Sequence, residues 1–419
     1  MNREADIVII GGGVIGVCSA YYLASTTGRH VTILEKGEIC SGCSYGNGGL
    51  LVPSHSLPLA SPGVVANALR WMFNPDSPFY IKPRLDADLI RWLLRFWLSS
   101  GKRRSHRGIA VLRDLSYASL TLYDELDQLA DVEFQLEHRG LIQLCRTQPG
   151  LRRCVEHAEL LAHHGIKARE VDRDEIATLE PNVETTALGG VYYEEDRHLT
   201  PVRFVREMAR HVETMGVDIL TNTEVLAVEK HGSRISGLRT TRGDLRPAEV
   251  VLAAGSWSPQ LAADLSIRIP IQPAKGYSAT FVKPDPSPQM PLVCEEARFG
   301  VTPMGDTLRF AGTLELAGLD LSIRERRVRA ILSSVPGFLP QLQPDRMELV
   351  EIWRGLRPCS PDGLPYIGRV RSVENLVVAA GHAMIGVSLG PITGRLVSQI
   401  ISGEVPSIEL GPLRPDRFG

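Results

Sequence analysis

A short hydrophobic strand leads into three closely spaced glycines near the start of the chain, and this feature constrains the fold most. Residues 7–16 read IVIIGGGVIG, in which Gly11, Gly13 and Gly16 form the pattern GxGxxG. The first glycine permits a tight turn, the second a close approach to a ligand, and the third close packing of helix on strand. Glu35 follows by about twenty residues, at the usual place of a carboxylate that binds ribose hydroxyls. In this context the pattern predicts a βαβ unit that binds a dinucleotide pyrophosphate at a helix N-terminus.

Composition narrows the class of protein further. A chain of 419 residues is long enough for two domains, and its net charge of -2 gives no indication of a nucleic-acid partner. No stretch of about twenty apolar residues predicts a membrane span, and the apolar strand begins too early for a cleavable signal. Seven cysteines, an odd number, are typical of reduced thiols in a cytoplasmic protein. Cys40 and Cys43 lack a second ligand pair, so we predict no metal site, while a redox role for this pair stays open.

Two further segments resemble parts of a nucleotide-binding domain. Residues 248–257 form a buried strand that ends in AAGSW, which resembles the second nucleotide-side strand of two-dinucleotide-type flavoproteins. Residues 375–386 read NLVVAAGHAMIG, and a predicted helix follows from about Pro391 to Ser402. We therefore expect one domain built from separated stretches, interleaved with a second domain. The predicted boundaries are 1–84, 201–268 and 350–419 for the nucleotide domain, and 85–200 and 269–349 for the second domain.

Several motifs, taken in this order, resemble the FAD-dependent D-amino acid oxidoreductase family, which includes glycine oxidase and bacterial D-amino acid dehydrogenase. Beside the glycine turn they are SYGNGG at 44–49, SPG at 61–63, KGYS at 275–278, WRGLRP at 353–358, PDGLP at 361–365, and Gly381-His382 with Gly386. Each motif is weak alone, and together they run from one end of the chain to the other. The resemblance implies an α/β fold, with a Rossmann-like FAD-binding domain of the glutathione-reductase type interleaved with an α+β substrate domain whose sheet is mainly antiparallel.

The resemblance also implies a cofactor site. We expect non-covalent FAD, because Gly355 stands where sarcosine oxidases carry the cysteine that tethers their flavin, and Cys359 lies elsewhere. The residues expected to contact FAD are Gly11, Gly13, Val14, Ile15, Gly16, Glu35, Lys36, Ser44, Asn47, Gly48, Gly49, Leu50, Val225, Ala254, Gly255, Trp257, Gly381, His382, Met384, Ile385 and Gly386.

Three further residues are candidates for the substrate site. Arg357 occupies the family position whose arginine binds the substrate carboxylate, and a guanidinium is suited to this because its planar fork makes two parallel bonds. Tyr277 is a candidate for the pocket wall, although a half-buried strand tyrosine is an equal alternative. His55 follows the glycine loop and is a further candidate to line the pocket. Met384 stands where glycine oxidases carry a second arginine, so we expect a more apolar wall there.

The resemblance implies oxidation at Cα, with a hydride passed to the flavin. The loop at 44–49 and the segment GVSLGPITG at 386–394 depart from general D-amino acid dehydrogenases, and look more like the branch that oxidises D-proline and cis-4-hydroxy-D-proline. A broad D-amino acid dehydrogenase or oxidase and a 2-hydroxy-acid dehydrogenase stay open as alternatives. So does a non-catalytic FAD-bearing subunit that docks onto a partner oxidoreductase.

The electron acceptor is expected to be a quinone or another respiratory-chain component. Residues 89–98 read LIRWLLRFWL and are followed by Lys102, Arg103 and Arg104. Such a helix, apolar around most of its circumference and flanked by tryptophans, suits an interfacial anchor on the inner face of the cell membrane. The alternative is a helix packed inside the substrate domain with a solvated basic end. We therefore expect a cytoplasmic protein, with peripheral membrane contact as an open possibility.

Overall fold

The glycine-rich start of the chain forms the βαβ unit that its pattern predicts. In the computed structural model, which describes residues 3–61 and 79–418, strand β1 (Arg3–Ile10) leads into helix α1 (Val14–Thr27) and then strand β2 (Val31–Leu34). The two strands are parallel, with Ile7 opposite Val31. Helix α1 ends at Gly28, whose φ of 62° is the left-handed conformation that glycine adopts without steric cost. The first predicted unit is therefore confirmed.

The remaining described strands are spread along the whole chain. In order they are β3 (Leu50–Leu51), β4 (Phe79–Ile81), β5 (Leu141–Cys145), β6 (Arg169–Asp172), β7 (Gly189–Tyr193), β8 (Arg197–His198), β9 (Asp218–Leu220), β10 (Val225–His231), β11 (Arg234–Thr240), β12 (Gly243–Leu252), β13 (Gln272–Val282), β14 (Leu292–Cys294), β15 (Phe299–Met304), β16 (Thr307–Leu316), β17 (Leu349–Cys359), β18 (Tyr366–Val370) and β19 (Val373–Ala380).

The helices after α1 alternate with these strands. Within the described residues they are α2 (Ala87–Ser99), α3 (Lys102–Asp127), α4 (Gln148–Ala162), α5 (Arg173–Leu179), α6 (Pro201–Thr214), α7 (Ser258–Asp264), α8 (Glu325–Leu332), α9 (Val335–Phe338) and α10 (Gly390–Ser402). Helix α2 begins at Asp86, whose side chain accepts hydrogen bonds from the backbone N–H groups of Asp88 and Leu89. This cap satisfies donors that have no partner within the helix.

The first sheet is the nucleotide-binding type of sheet that the motifs predict. Its parallel centre runs β19-β12-β1-β2-β9, while β10 and β11 extend it from β12 and β18 pairs antiparallel with β19. Residue Val8 lies opposite Val250 on β12, and Val250 lies opposite Leu376 on β19. These strands are buried on both faces, which explains why they read as continuous apolar runs. Strands from distant parts of the chain therefore meet side by side, as the interleaved organisation predicts.

The second sheet is mainly antiparallel, as predicted for the substrate domain. Its order is β17-β13-β16-β15-β14-β5-β7-β6, with β4 against β16, and the pairs β14–β5 and β16–β4 are parallel. Strand β17 pairs along its length with β13. The predicted boundary at residue 350 therefore falls inside a strand of this sheet, because the backbone of β17 finds its hydrogen-bonding partner on β13. Strands β9 to β12, from the predicted segment 201–268, all lie in the first sheet.

Helix α2 packs one apolar face inside the protein and presents another to solvent. Trp92 is only 3% exposed, stacks on Phe96 with ring centroids 5.1 Å apart, and donates its indole N–H to the carbonyl of Cys359 at 3.0 Å. The prediction that both tryptophans flank an outer apolar surface is therefore wrong for Trp92. Its side chain is held in the core by this hydrogen bond and stack. In contrast, Trp97 is 60% exposed.

The two arginines of α2 have different partners. Arg91 bonds to Asp88 on the surface, while Arg95 donates to the carbonyl of Phe418 at 2.8 Å and lies over its ring. Arg95 therefore fastens the C-terminal segment to the helix. None of the helices in 3–61 and 79–418 combines the length and apolarity needed to cross a membrane.

An ion pair between a buried lysine of the second sheet and a partly exposed aspartate predicts a large loss of stability on mutation. Lys275 is fully buried and its Nζ donates to Asp320 at 3.1 Å and to the Ser322 carbonyl at 2.9 Å. We expect Asp320→Asn to lower the free energy of unfolding by about 3 kcal/mol, since it leaves a buried ammonium without its counter-charge. Denaturant unfolding measures this. Glu325→Gln, in a surface pair with Arg329, is the control, and an equal loss in both variants would contradict the prediction.

Candidate active site

The turn between β1 and α1 leaves room for a ligand because three of its residues have no side chain. Gly11 has a φ of 119°, and a Cβ added there would lie 2.5 Å from the carbonyl oxygen of Ala253. A Cβ at Gly16 would lie 1.9 Å from the carbonyl oxygen of Gly11. Helix α1 starts at Gly13 with no side-chain cap and no acidic residue in its first turn. Its N-terminus, which includes Val14 and Ile15, is therefore suited to an anionic group.

Glu35 lies at the carboxyl end of β2, where the sequence predicts a ribose-binding carboxylate. Its Oε2 accepts the backbone N–H of Gly12 at 2.7 Å, and its Oε1 accepts that of Gly37 at 2.9 Å. These two bonds fix the carboxylate beside the glycine turn, and each oxygen keeps a further lone pair for a ligand. Lys36 places its Nζ 3.4 Å from the ring centroid of Trp257. The structure therefore brings together residues that lie more than 200 positions apart.

The second predicted nucleotide-side segment meets this turn at the same edge of the sheet. The N–H of Ala253 bonds to the carbonyl of Ile10, so Ala254 and Gly255 follow directly beside the glycine turn. Gly255 has a φ of 54°, a conformation that favours glycine. Val225 begins β10, two residues after Thr223, whose N–H bonds to the carbonyl of Glu35. The contact of Val225, Ala254 and Gly255 with the cofactor stays a prediction.

The glycine loop at 44–50 and the turn at 381–386 lie against each other. The Nδ2 of Asn47 donates to the carbonyl of Met384 at 3.1 Å, and its Oδ1 accepts the N–H of Gly49 at 2.9 Å. Ser44 accepts the N–H of Val14 at the start of α1 at 3.0 Å, which joins the loop to the first glycine turn. The predicted residues of this region that the structure thus assembles are Ser44, Asn47, Gly48, Gly49, Leu50, Gly381, His382, Met384, Ile385 and Gly386.

Arg309 holds the glycine loop in place, and the sequence interpretation missed it. Its guanidinium is buried, donates to the carbonyls of Tyr45 at 2.9 Å and Asn47 at 3.0 Å, and bonds to Thr280 at 3.0 Å. Burial lowers the pKa of this guanidinium from its ordinary value. The available signal was a single arginine between apolar residues in β16. A charged residue at an inward strand position indicates buried partners, here two backbone carbonyls and the carboxylate of Glu351 at 3.4 Å.

Arg357 lies on the face of β17 that looks toward this loop. Gly276 of β13 and Gly355 of β17 face each other, and the Arg357 guanidinium lies over Gly276, where an added Cβ would be 2.3 Å from its Cζ. The guanidinium donates to the Thr313 carbonyl, and no carboxylate among the described residues pairs with it. Burial lowers its pKa from the ordinary arginine value, but an arginine stays protonated at neutral pH. An enclosed cation with free donors is suited to an anionic ligand.

Tyr277 lies on the opposite face of the same sheet, so the prediction that it lines the pocket is wrong. Successive residues of a strand point to opposite faces, and Gly276 is the one that faces Arg357. Tyr277 is buried in the core, and its hydroxyl donates to Glu315 at 3.1 Å. Burial, followed by the charge of Glu315, raises the pKa of Tyr277 well above its usual value. The alternative of a strand tyrosine outside the pocket is the observed one, although Tyr277 is buried and not half-buried.

Trp353 is a second side chain on the site face that the sequence interpretation did not single out. Its indole lies over Gly355, where an added Cβ would be 1.8 Å from the ring, and against Gly46, where the distance would be 2.0 Å. The ring centroid of Tyr45 is 6.5 Å away. Two glycines, one on the sheet and one in the loop, therefore accommodate one aromatic ring. Trp353 joins the loop to the strand that carries Arg357.

His55 is the other candidate that lies near this region. It ends a 3-10 turn (Pro53–His55), and its neighbours fix its place: the N–H of Val52 bonds to Ser388 at 3.1 Å, and Ala60 packs with Cys359 and Ala383. Its side chain is accessible but deeply enclosed by protein, and this burial lowers the pKa of His55 to about 4. Pro62 and Gly63 of the predicted turn lie outside the described residues.

His382 and the cysteines have structural surroundings that limit their chemistry. The His382 ring is buried against Thr393, with Nε2 and Oγ1 3.0 Å apart, and burial lowers the pKa of His382 to about 3. It therefore contributes to this region through its backbone: its carbonyl accepts the N–H of Ile385. Burial raises the pKa of Cys40 to about 12 and that of Cys43 to about 11, which disfavours the reactive thiolate form. The described residues contain no cluster of three metal-ligating side chains.

These features fit FAD: a helix N-terminus with no acidic residue in its first turn, a glutamate beside it, and a glycine loop that leads toward the second sheet. The fold and the site together define a flavin-dependent oxidoreductase. Comparison with protein families gives the same result, since the family described as "FAD dependent oxidoreductase" (DAO) matches residues 6–400. The chain belongs to this family, and FAD is its cofactor.

Known proteins with similar sequences and structures cover the whole chain. A D-amino acid dehydrogenase from Granulibacter bethesdensis is 32% identical over 420 residues, 98% of this chain and 99% of the relative. A D-amino acid dehydrogenase from Vibrio vulnificus is 33% identical over 403 residues, 95% of this chain and 96% of the relative. Glycine oxidase from Geobacillus kaustophilus is similar in structure, with a TM-score of 0.81, 23% identity and all of both chains covered. The overall fold is therefore as predicted.

Proposed function

We propose that this protein is a dehydrogenase that oxidises a D-amino acid or a cyclic D-imino acid, such as D-proline or cis-4-hydroxy-D-proline, to the corresponding imine. The observation that carries the proposal is Arg357, an enclosed guanidinium that faces the glycine loop and pairs with no carboxylate of the described residues. A planar guanidinium is suited to a substrate carboxylate because it can make two parallel hydrogen bonds. The relatives named D-amino acid dehydrogenase support the substrate class.

The residues of the site would divide the work of the reaction as follows. Arg357 would bind the carboxylate and fix the orientation of Cα, while Trp353 and Met384 would enclose the side chain of the substrate. The substrate must lose one proton from its ammonium group, and enclosure favours this because burial disfavours the charged form. The hydride that leaves Cα is accepted by FAD when the cofactor is bound. Arg309 would keep the glycine loop in position through its bonds to Tyr45 and Asn47.

The cyclic D-imino acid is the finer part of the proposal. It is supported by the loop at 44–49 and the segment at 386–394, which depart from the general D-amino acid dehydrogenase pattern. Met384 supports it as well: its side chain is 38% exposed at the turn where a second arginine would otherwise stand. An apolar wall there is suited to the methylene groups of a pyrrolidine ring.

An anaerobic screen of flavin reduction tests this function directly. The purified protein is mixed with D-proline, cis-4-hydroxy-D-proline, D-alanine, L-proline and a 2-hydroxy acid, and the visible absorbance of the flavin is followed. We expect bleaching fastest with the two cyclic D-imino acids. Bleaching only with the 2-hydroxy acid would contradict the proposal, and bleaching with D-alanine alone would contradict its finer part. Turnover of a dye acceptor by the single chain would exclude a purely docking role.

We also propose that FAD is held without a covalent bond. Gly355 offers no side chain for a linkage, and the thiol of Cys359 is buried, with burial raising its pKa to about 12. Acid precipitation of the folded protein should release all of the flavin into the supernatant. Yellow colour that stays with the precipitated protein would contradict this.

The electron acceptor is proposed to be a quinone or another component of the respiratory chain, reached from the cytoplasmic side of the membrane. Support comes from the outer face of α2, where Ile90, Leu94, Trp97 and Leu98 are each more than half exposed. Lys102, Arg103 and Arg107 are exposed at the start of α3, directly after this face. An apolar face beside basic residues is suited to a membrane with anionic lipids.

A double variant on this outer face tests the membrane contact. We expect Leu94→Ser with Trp97→Ser to abolish sedimentation with phosphatidylglycerol vesicles, because it removes the apolar side chains that would enter the bilayer. Trp92 is left intact because it is part of the core. Leu226→Ser with Val405→Ser removes exposed apolar side chains elsewhere and is the matched control. If the wild-type protein does not bind the vesicles, the acceptor is not reached through this face.

A further inference from the structure

A chain of hydrogen bonds joins His55 to a buried aspartate. The hydroxyl of Ser54 donates to Oδ2 of Asp196 at 2.5 Å, and its oxygen lies 2.9 Å from Nδ1 of His55. The backbone N–H of Ser54 bonds to Oδ1 of the same aspartate at 3.2 Å. Since the hydroxyl gives its hydrogen to the carboxylate, it accepts the Nδ1–H of His55. The Nε2 atom of His55 is then left as a hydrogen-bond acceptor.

The two ends of this chain of hydrogen bonds, Asp196 and His55, lie in different surroundings. Asp196 lines a surface cavity of about 270 Å³, together with polar side chains that include Tyr117, Glu195 and Arg197. His55 has an accessible side chain and lies between Val52, which bonds to Ser388, and Ala60, which packs with Cys359 and Ala383. Ala383 belongs to the turn at 381–386 and Cys359 ends β17, and both of these elements belong to the candidate active site. The chain of hydrogen bonds therefore runs from the segment beside the candidate active site to the surface cavity.

We propose that His55, Ser54 and Asp196 form a proton relay, which carries the proton lost by the substrate ammonium from the active site to the surface cavity. The inference rests on the proposed function, since it assumes an amine substrate. His55 would take the proton directly or through a water molecule, and Asp196 would release it to solvent. Ser54 and Asp196 act through His55 and are positioning residues, while His55 is the group that faces the substrate side.

The transfer balances without any further reactant. A proton leaves the ammonium nitrogen and binds Nε2 of His55, and the Nδ1 proton of His55 passes to the oxygen of Ser54. The hydroxyl proton of Ser54 passes to Oδ2 of Asp196. His55 and Ser54 each gain one proton and lose one, and the carboxylate of Asp196 becomes neutral. The amine keeps its electron pair, which assists the departure of the hydride from Cα. Loss of the proton from Asp196 to water in the cavity restores the carboxylate. The starting state then returns when the Ser54 hydroxyl turns back to Asp196 and His55 moves its proton from Nε2 to Nδ1 through exchange with water.

The charges around the relay suit transfer in this direction. Burial raises the pKa of Asp196 to about 7, with hydrogen bonds from Ser54 opposing the shift and the charge of Glu195 adding to it. Three tyrosine hydroxyls also interact electrostatically with Asp196, those of Tyr117, Tyr192 and Tyr193. Burial raises the pKa of each of these hydroxyls above its ordinary value, which favours their neutral form. Burial alone lowers the pKa of His55. The proton is therefore held at Asp196 in preference to His55, and the relay accepts protons above the pH at which Asp196 ionises.

The hydrogen bonds alone are also compatible with a structural role for Ser54, so the variants must separate the two roles. Ser54→Ala breaks the relay, Ser54→Thr keeps its hydroxyl, and Asp196→Asn removes the final acceptor. Ser56→Ala is the matched control, because Ser56 is a buried serine two residues away whose hydroxyl has no hydrogen-bond partner among the described residues. All four variants are compared with the wild-type holoenzyme.

The first measurement is the rate of anaerobic flavin reduction by D-proline as a function of pH. In the wild type we expect the rate to rise with an inflection near pH 7, as Asp196 loses its proton. Ser54→Ala and Asp196→Asn should be at least about tenfold slower at pH 8 and lack this inflection. Ser54→Thr and Ser56→Ala should behave as the wild type does. The difference in rate between these two slow variants, Ser54→Ala and Asp196→Asn, and the wild type should become smaller toward high pH, because the substrate amine is then already neutral when it binds.

The second measurement does not depend on turnover. The ¹⁵N chemical shifts of the His55 imidazole report which ring nitrogen carries the proton, and we expect a protonated Nδ1 in the wild type. The shift of Nδ1 should move in Ser54→Ala and Asp196→Asn and stay unchanged in Ser56→Ala. Wild-type rates, or a wild-type pH profile, in Ser54→Ala would overturn the relay while the proposed function stands. A wild type that oxidises no amino or imino acid overturns both, and this is seen before any variant is compared.

Discussion

Arg357→Ala is expected to keep its yellow cofactor and to lose about a thousandfold in kcat/KM, or about 4 kcal/mol, with every carboxylate substrate. The physical reason is the loss of a charge-assisted, two-pronged contact inside an enclosed site, where no carboxylate of the described residues already neutralises the guanidinium. FAD binding should persist because the residues predicted to hold the cofactor lie on the glycine turns. The flavin spectrum and steady-state kinetics with D-proline measure the two effects separately.

The same strand offers a matched control for this prediction. Arg354 lies three residues earlier on β17, on the opposite face of the sheet, and donates to the carbonyl of Leu321. Arg354→Ala removes the same side chain and should leave kcat/KM within about threefold of the wild type, because it cannot contact the substrate. Arg357→Lys keeps the charge but loses the planar fork, so an intermediate value is expected. Equal losses in the two alanine variants would contradict a carboxylate-binding role for Arg357.

The sequence allowed the cofactor-binding part of the fold to be predicted because its signals are local. The turn at Gly11 and Gly16 requires glycine for steric reasons, and Glu35 lies at a fixed distance along the chain. The strand that ends at Ala253 was recognisable because a strand buried on both faces reads as an apolar run. Signals of this kind do not depend on which distant segment packs against them.

The substrate side could be predicted only in part because it depends on strand faces and on long-range contacts. The sequence favours Tyr277 as a residue of the pocket wall, but its neighbour Gly276 is the one that faces Arg357. A one-residue error of this kind moves a side chain to the other face of a sheet. Trp92 and Arg309 show the second difficulty, since each of them donates to a backbone carbonyl more than 200 residues away. No local pattern contains that information.

Glycines at the sheet surface give the strongest clue to the site that sequence patterns left unused. Gly276 and Gly355 are directly opposite each other on neighbouring strands, at positions where glycine weakens a sheet. Over one lies the guanidinium of Arg357, and over the other lies the indole of Trp353. Both glycines therefore leave the space in which these two side chains lie.

Gly276→Ala is expected to lower kcat/KM about a hundredfold without touching the substrate, because misplacing a binding group by about 1 Å has an effect of that size. The added Cβ would lie 2.3 Å from the Arg357 guanidinium, so the guanidinium must move. The cost to stability should be small, since the atoms that give way are the far end of a flexible side chain. Kinetics with D-proline, thermal unfolding and the flavin spectrum measure these effects.

Gly300→Ala is the control for this variant, because it makes the same change in strand β15 of the same sheet. The nearest heavy atom to a Cβ there is the Leu292 carbonyl oxygen at 3.9 Å, an ordinary contact. Gly300→Ala should therefore leave kcat/KM and stability close to those of the wild type. A Gly276→Ala protein with normal kcat/KM would show that the guanidinium position over Gly276 is not the one used in catalysis. An unfolded Gly276→Ala protein, in contrast, would show that β13 and Arg357 cannot adjust, and Gly276→Ala with Arg357→Ala would then restore folding.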